Sequence, residues 1–411
     1  MVEEMEEIRF KQTEVGFIPK DWAVKKLLDI GESIIGLTYS PLNVKSNGTL
    51  VLRSSNIQNG KLAFKDNVYV DMDLPKRVIV KENDILICVR NGSRQLIGKC
   101  ALVNREIAGS AFGAFMTVFR SKCSVYAFHQ FQSFIIQKQI NETLGATINQ
   151  ITNKDLAAFK IPIPPTNTEQ IIIANTLNDA DALITALEKL INKKQAIKQG
   201  AMQELLRPKE VWKENILGDT ATLKARIGWQ GLTTGEYRNT GDYYLITGTE
   251  FKNGLINWAK CFYVDQDRYK QDKNIQVKEN DILVTKDGTI GKIAIIKSVP
   301  KPATLNSGVF VIRPINNSFD PIFFYYLLLS NIFLDFLSQL SAGSTIIHLY
   351  QKDFVTFKYM VPDTIEEQIR IATILSDMDA EIETLEQKLA KYKLIKQGMM
   401  QNLLTGKIRL I

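Results

Sequence analysis

Histidine and cysteine are scarce in this chain: its 411 residues include only His129 and His348, and the four cysteines are Cys88, Cys100, Cys123 and Cys261. No CxxC pair or other ligand spacing links them, so a dedicated zinc site is not expected and the cysteines read as reduced thiols. Long apolar runs are lacking too. The most apolar stretch, 322–337, is broken by Ser330, Asn331 and Asp335 and is too short to span a bilayer, which makes it a buried helix. The opening MVEEMEE is acidic and apolar-poor, unlike a signal or transit peptide, so the expected location is the cytoplasm.

Catalytic motifs are also missing. Gly92-Ser-Arg-Gln-Leu-Ile-Gly98-Lys99-Cys100 has the outline of a phosphate-binding loop, but five residues separate its glycines where four are needed. Cysteine stands where a magnesium-binding Ser or Thr belongs, and the counterpart Gly288-Thr-Ile-Gly291-Lys292 is shorter still. No G-x-G-x-x-G loop opens a helix. Ile-Pro-Ile-Pro-Pro at 161–165 lacks the Asn and the aromatic of the segment that adenine methyltransferases place beside a flipped base. Neither histidine has a local Ser or Cys arrangement suited to nucleophilic catalysis. The chain reads as noncatalytic.

What the chain has is a repeat. Glu169–Leu206 and Glu367–Leu404 align without a gap, and 21 of 38 positions are identical. Apolar residues fall at Ile173, Leu177, Ala180, Ile184, Leu187 and Ile191 in one copy and at Ile371, Leu375, Met378, Ile382, Leu385 and Leu389 in the other. Steps of four and three define a coiled-coil seam, with Lys198 and Lys396 at the same seam position, their stems expected on the seam and their ammonium groups in water. Each stripe needs cover, and the nearest match is the other copy. An antiparallel intramolecular pair is therefore expected, holding two domains apart as a spacer.

The net charge of +7 divides unevenly: residues 1–165 carry +5 and 207–362 carry +4, whereas 166–206 and 363–411 carry −1 each. A positive excess confined to the divergent domains points to a polyanion. Those domains share scattered motifs. Pro19, Trp22, Leu27 and Asp29 match Pro208, Trp212, Leu217 and Asp219; Asn59-Gly60 matches the turn Asn253-Gly254; and KENDIL from Lys81 to IGK matches KENDIL from Lys278 to IGK. The expected fold is mixed α/β, two domains of twisted sheet with flanking helices related by a pseudo-two-fold repeat. The boundaries expected are 1–165, 166–206, 207–363 and 364–411.

This order, in which each domain is followed by a helix running from EQ-x-x-IA to KQG-x-MQ-x-LL and the chain closes on LLTGKIRL, resembles the specificity subunit of type I restriction-modification systems over essentially the whole chain. The resemblance implies two target recognition domains, each reading one half of an asymmetric bipartite sequence in double-stranded DNA. It also implies two modification (methyltransferase) subunits and up to two restriction (nuclease/translocase) subunits as partners. S-adenosylmethionine, ATP and magnesium would belong to those partners and no cofactor to this chain. The alternative is a coiled-coil scaffold with two ligand-binding domains.

Arg can fork onto guanine, Asn or Gln can clamp adenine, and Ser or Thr can supplement either. Candidates in the first domain are Arg53, Ser55 and Asn56; Arg90, Asn91, Ser93 and Arg94; and Thr147, Asn149 and Gln150. In the second they are Arg226 and Trp229; Thr247 and Thr249; Lys286, Asp287 and Thr289; and Thr345, His348 and Tyr350. Lys99 and Lys292 suit phosphates, while Asn91, Ser93, Asp287 and Thr289 equally suit turn caps. Gln199, Gly200 and Gln203, repeated as Gln397, Gly398 and Gln401, lie off the seam and form a candidate partner surface. Glycine in a helix is costly, so its repetition suggests a close approach, between the helices or to a partner.

Overall fold

The computed structural model describes residues 10–145, 149–340 and 348–410, apart from the side chain of Trp229. Two compact units result, 1–188 with 387–411 and 189–386, so that each combines one divergent domain with the adjacent halves of both long helices.

In the first unit the strand of the KENDIL motif, Ile85–Cys88, lies inside a four-stranded antiparallel sheet with Cys100–Leu102, Met116–Ser121 and Gly31–Ile35. All four of its residues are buried, because the sheet is covered on both faces. Ile85 and Ile87 pack with the helices Ser124–Gln132 and Phe134–Thr143, while Leu86 and Cys88 face a second small sheet that includes Thr49–Leu52. The second unit repeats the plan. Ile282–Thr285 is flanked by Ile293–Ile295 and Val309–Pro314, with Ala221–Lys224 at the edge, and its two faces feed two cores.

The polar residues of KENDIL set the entry to this strand. Asn83 and Asn280 adopt φ of +67° and +65°, a left-handed turn that Asn tolerates. Asp84 then accepts from the Lys81 backbone N–H at 2.7 Å and takes the Arg120 guanidinium on both oxygens at 2.8 and 2.7 Å; Asp281 does the same with Lys278 and Arg313. Both carboxylates are buried. The motif is thus a structural clamp between neighbouring strands.

The long helices are Asn167–Leu205 and Ile365–Leu403. Thr166 and Thr364 cap them by accepting from Glu169 and Glu367 backbone N–H groups, and the side-chain amides of Gln170 and Gln368 donate to the carbonyls of Pro164 and Pro362. Within the first unit Lys396 meets Asp181 at 2.6 Å and Lys393 meets Glu188 at 2.9 Å, and within the second Lys198 meets Asp379 at 2.5 Å and Lys194 meets Glu381 at 2.7 Å, so the two helices run antiparallel in both. The seam lysines Lys396 and Lys198 do not reach water as the sequence suggested. Their side chains are only 14% and 19% exposed, and their charges are neutralised by carboxylates.

The apolar run 322–337 is two helices, Pro321–Leu329 and Asn331–Leu340, bent by 60° where Ser330 turns its hydroxyl to the Leu327 carbonyl. Among the described residues no single helix is long and apolar enough to cross a membrane. In the first unit the tail returns to the domain: Arg409 forks onto the buried Glu169 at 2.8 and 2.7 Å and reaches Asp21.

Replacing Asp84 or Asp281 with Ala strands a guanidinium at the sheet, and the loss expected is about 3 kcal/mol, measured as a lowered denaturant midpoint. A pH effect follows from His129, buried with Nε2 3.0 Å from Asn178 Oδ1. Burial, helped by the nearby Lys396 and only partly opposed by the Asn178 hydrogen bond, brings its pKa down to about 4. The native state therefore holds it neutral, and stability present above its ordinary value is lost as pH falls from about 6.5 to about 4, by roughly 3 kcal/mol in all. Unfolding midpoints taken across that window should drop less steeply for His129→Gln; an equal slope would remove His129 as the cause.

Candidate nucleic-acid interface

Three of the loops named from the sequence converge in the first domain. Asn91 donates from its amide to the Ser54 hydroxyl at 3.1 Å, Lys99 donates to the Ser54 carbonyl at 3.2 Å, and Asn149 donates to the Gly92 carbonyl at 3.0 Å. Gln150 forms a backbone bridge with Arg90. Beside them Arg53, Ser54, Ser55, Tyr39 and Phe115 line an open cleft of about 540 Å³. Arg90 is exposed, with its guanidinium 5.1 Å from the centroid of the Phe115 ring.

Several candidates have structural duties instead. Asn56 is fully buried; its carbonyl oxygen accepts from the Arg53 backbone and its amide donates to the Ala63 carbonyl, so no edge is left for a base. Asn91 Oδ1 accepts from the Ser93 backbone N–H, closing the turn. Arg94 donates to the carbonyls of Asn141, Leu144 and Gly145, which end the helix Phe134–Thr143. A cation there satisfies orphan carbonyls and the negative end of the helix dipole. Arg53 pairs with Asp66 at 2.8 Å, while among the described residues the buried Ser55 hydroxyl oxygen has no hydrogen-bond partner. Thr147 lies outside the described residues.

In the second domain Lys286, Asp287, His348 and Tyr350 come together. The Asp287 carboxylate contacts His348 Nδ1, the His348 ring lies 4.6 Å from that of the exposed Tyr350, and Lys286 sits 5.2 Å from the Phe310 ring centroid. Arg226 belongs elsewhere. It is 1% exposed and donates to the Leu305 carbonyl, Gln271 and Thr304, so burial, which lowers its pKa, places it in the core. Thr247 and Thr249 both donate to the buried Glu250 carboxylate, which also accepts from the backbone of Thr247 and Gly248. Thr289 and Lys292 are exposed. Thr345 and the Trp229 side chain lie outside the described residues.

Neither glycine loop cradles a phosphate. Gly98 and Gly291 adopt φ of +81° and +76°, and the chain then enters the strands Cys100–Leu102 and Ile293–Ile295 where a phosphate loop would open a helix. A Cβ would meet Ile140 or Leu337 at 2.4 Å, so these glycines let a tight turn pack against a helix. The sequence reading missed Phe115, whose signal was faint: a lone aromatic between Ala114 and Met116. It also missed Arg120, Arg313 and Glu250, which needed the sheet register to be seen.

On the long helices, Gln199, Gly200, Gln203, Gln397 and Gln401 are exposed and Gly398 is half-exposed. Among the described residues a Cβ at Gly200 or Gly398 would meet nothing within 4 Å, so packing between the helices does not require either glycine.

The family model for the type I restriction modification DNA specificity domain matches residues 19–199 and again 209–393. The chain belongs to that family. It is 27% identical to the MjaX type I specificity subunit of Methanocaldococcus jannaschii, over 98% of this chain and 97% of that one. With the MjaVIII specificity subunit of the same organism it shares 26% identity over 98% and 96%. A crystal structure of a type I S subunit from M. genitalium superposes with a TM-score of 0.60 at 17% identity, covering 93% of this chain and 96% of that one. A chain from a study of assembly of the type I system gives 0.58 at 16% identity, covering 95% and 99%. The fold is that of these specificity subunits, as the repeat implied.

Arg94→Ala should behave as a helix-end variant. The expected loss is about 1–2 kcal/mol of stability, measured by denaturant unfolding, with the sequence preference seen in binding competition unchanged from wild type; selective relaxation at one base would return Arg94 to the reading surface.

Proposed function

We propose that this specificity subunit is noncatalytic and that each of its divergent domains reads one half of an asymmetric bipartite target in double-stranded DNA. The observation that carries this is the contrast between a duplicated helix pair that repeats its Lys–Asp bridges and the different side chains gathered on the loops of each domain. The basic excess of both domains supplies attraction to phosphates. A helix of 39 residues rises about 58 Å, a length suited to setting the spacer between half-sites. A general ligand-binding scaffold is not favoured, since the family resemblance extends over both halves of the chain.

Methyl transfer and cleavage would be the work of two modification subunits and up to two restriction subunits, with S-adenosylmethionine, ATP and magnesium bound by them. The repeated Gln199-Gly200 and Gln397-Gly398 surfaces, exposed except for the half-exposed Gly398, suit two copies of one partner. Co-expression with the modification subunits followed by genomic methylation mapping should show a split motif with one fixed spacer. A continuous motif, or none, would overturn the reading.

Bulky replacements at Gly200 and Gly398 should lower the number of modification subunits per chain from two, measured by the mass of the reconstituted complex. Ala at either position should leave the free chain as stable or up to about 1 kcal/mol more so, because nothing in the described structure opposes its Cβ. A one-to-one wild-type complex at saturating partner would sink the duplicated surface.

A further inference from the structure

The two domains place opposite chemistry on one backbone frame. Cys88 pairs with Met116 in the first sheet and Thr285 with Val309 in the second. The next residue along then repeats a hydrogen bond: the Val89 N–H donates to the Phe115 carbonyl at 3.1 Å, and the Lys286 N–H donates to the Gly308 carbonyl at 2.9 Å. Arg90 therefore corresponds to Asp287, and Phe115 to Gly308.

In the first domain this position presents a cation on an exposed ring, Phe115 being 57% exposed. In the second it presents a carboxylate beside His348, where the missing side chain at Gly308 leaves room: a Cβ there would lie 3.5 Å from Asp287 Oδ2.

We propose that Arg90 with Phe115, and Asp287 with His348, are equivalent specificity-determining pairs that read opposite hydrogen-bond polarity in the two half-sites. Arg90 directs its fork to guanine O6 and N7, and Phe115 takes the methyl of an adjacent thymine. Asp287 accepts from the exocyclic amine of cytosine. A guanidinium has donors only and an ionised carboxylate acceptors only, and guanine and cytosine carry the complementary groups on their major-groove edges. The loops differ in length between the two domains, but the sheet register fixes this one position in both, so it varies in chemistry while keeping its place. The inference rests on the proposal that the domains read DNA.

The test uses the complex of this subunit with its modification subunits and duplexes of its mapped target. Wild type should bind about tenfold more weakly when one guanine of the first half-site is 7-deazaguanine, which lacks N7, and several-fold more weakly when the neighbouring thymine is replaced by uracil. Arg90→Ala should bind the natural duplex about tenfold more weakly and lose the 7-deazaguanine effect; Phe115→Leu should keep most of the methyl effect and Phe115→Ala should lose it. Asp287→Asn should move the preference at one position of the second half-site from cytosine toward adenine, which an amide can clamp, and leave the first half-site unchanged. Uniform weakening toward every duplex, or a first half-site insensitive to 7-deazaguanine, would overturn the assignment while leaving DNA recognition itself intact. Failure of the wild-type complex to prefer its target over unrelated DNA would instead overturn the underlying reading.

Discussion

A charged pair inside an apolar seam governs the geometry of this subunit. Lys198 with Asp379, and Lys396 with Asp181, are the same pair written twice, each half-enclosed where the long helices meet. A polar seam position specifies register and orientation at some cost in stability. Only an antiparallel alignment lets both lysines find both aspartates, since each lysine lies far along its helix and each aspartate near the start. The pairs also reach into their domains: Tyr326 donates to Asp379 at 2.7 Å, and Lys396 lies 3.4 Å from the Gln132 side-chain oxygen. The register of the helices and the seating of each domain on them are thus one choice.

Above that seam, each domain is built around a strand buried on both faces. Burial of Ile85–Cys88 and Ile282–Thr285 contributes the hydrophobic drive, but it also demands that the polar turn before each strand be satisfied. The carboxylates of Asp84 and Asp281 satisfy it by joining the turn to an arginine on the next strand. Cysteine takes part only as an apolar filler here. Cys100 and Cys261 are buried, and burial pushes both thiols up to about 12, far from thiolate chemistry at neutral pH.

The helices were legible in the sequence because a period of 3.5 over many residues, repeated without a gap, has few other readings. The strand positions were legible for a related reason: the apolar runs Ile85–Val89 and Ile282–Val284, each between a polar turn and a glycine, are too short for a helix. The roles of the polar residues were not. Arg226, Asn56 and Arg94 have the composition of base-reading side chains, yet Arg226 donates to carbonyls 42 and 79 positions away, Asn56 to the carbonyl of Ala63 across a turn, and Arg94 to those at a helix end. Arginine is retained in a core only where the fold supplies acceptors for most of its five donors, and that supply is invisible until the sheet register is known. The bend at Ser330 was missed for the converse reason: the polar break at Ser330 and Asn331 was visible, but not that the hydroxyl would turn back to the Leu327 carbonyl and end the first helix.

This separation of scaffold and surface explains how one architecture can serve two different half-sites. Each sheet fixes the residue just past the buried strand through backbone hydrogen bonds alone, Val89 with Phe115 and Ile151 and Lys286 with Gly308 and Leu349, and a backbone bond is indifferent to the side chain it carries. Arg90 and Asp287 can therefore differ in charge without disturbing Val89 or Lys286. Substitution in the core would cost several kcal/mol through cavities or stranded charges, whereas substitution at this rim alters only what is offered to a ligand. The stable parts of the molecule are consequently duplicated, and the parts that choose a sequence are those that the fold holds in place but does not use.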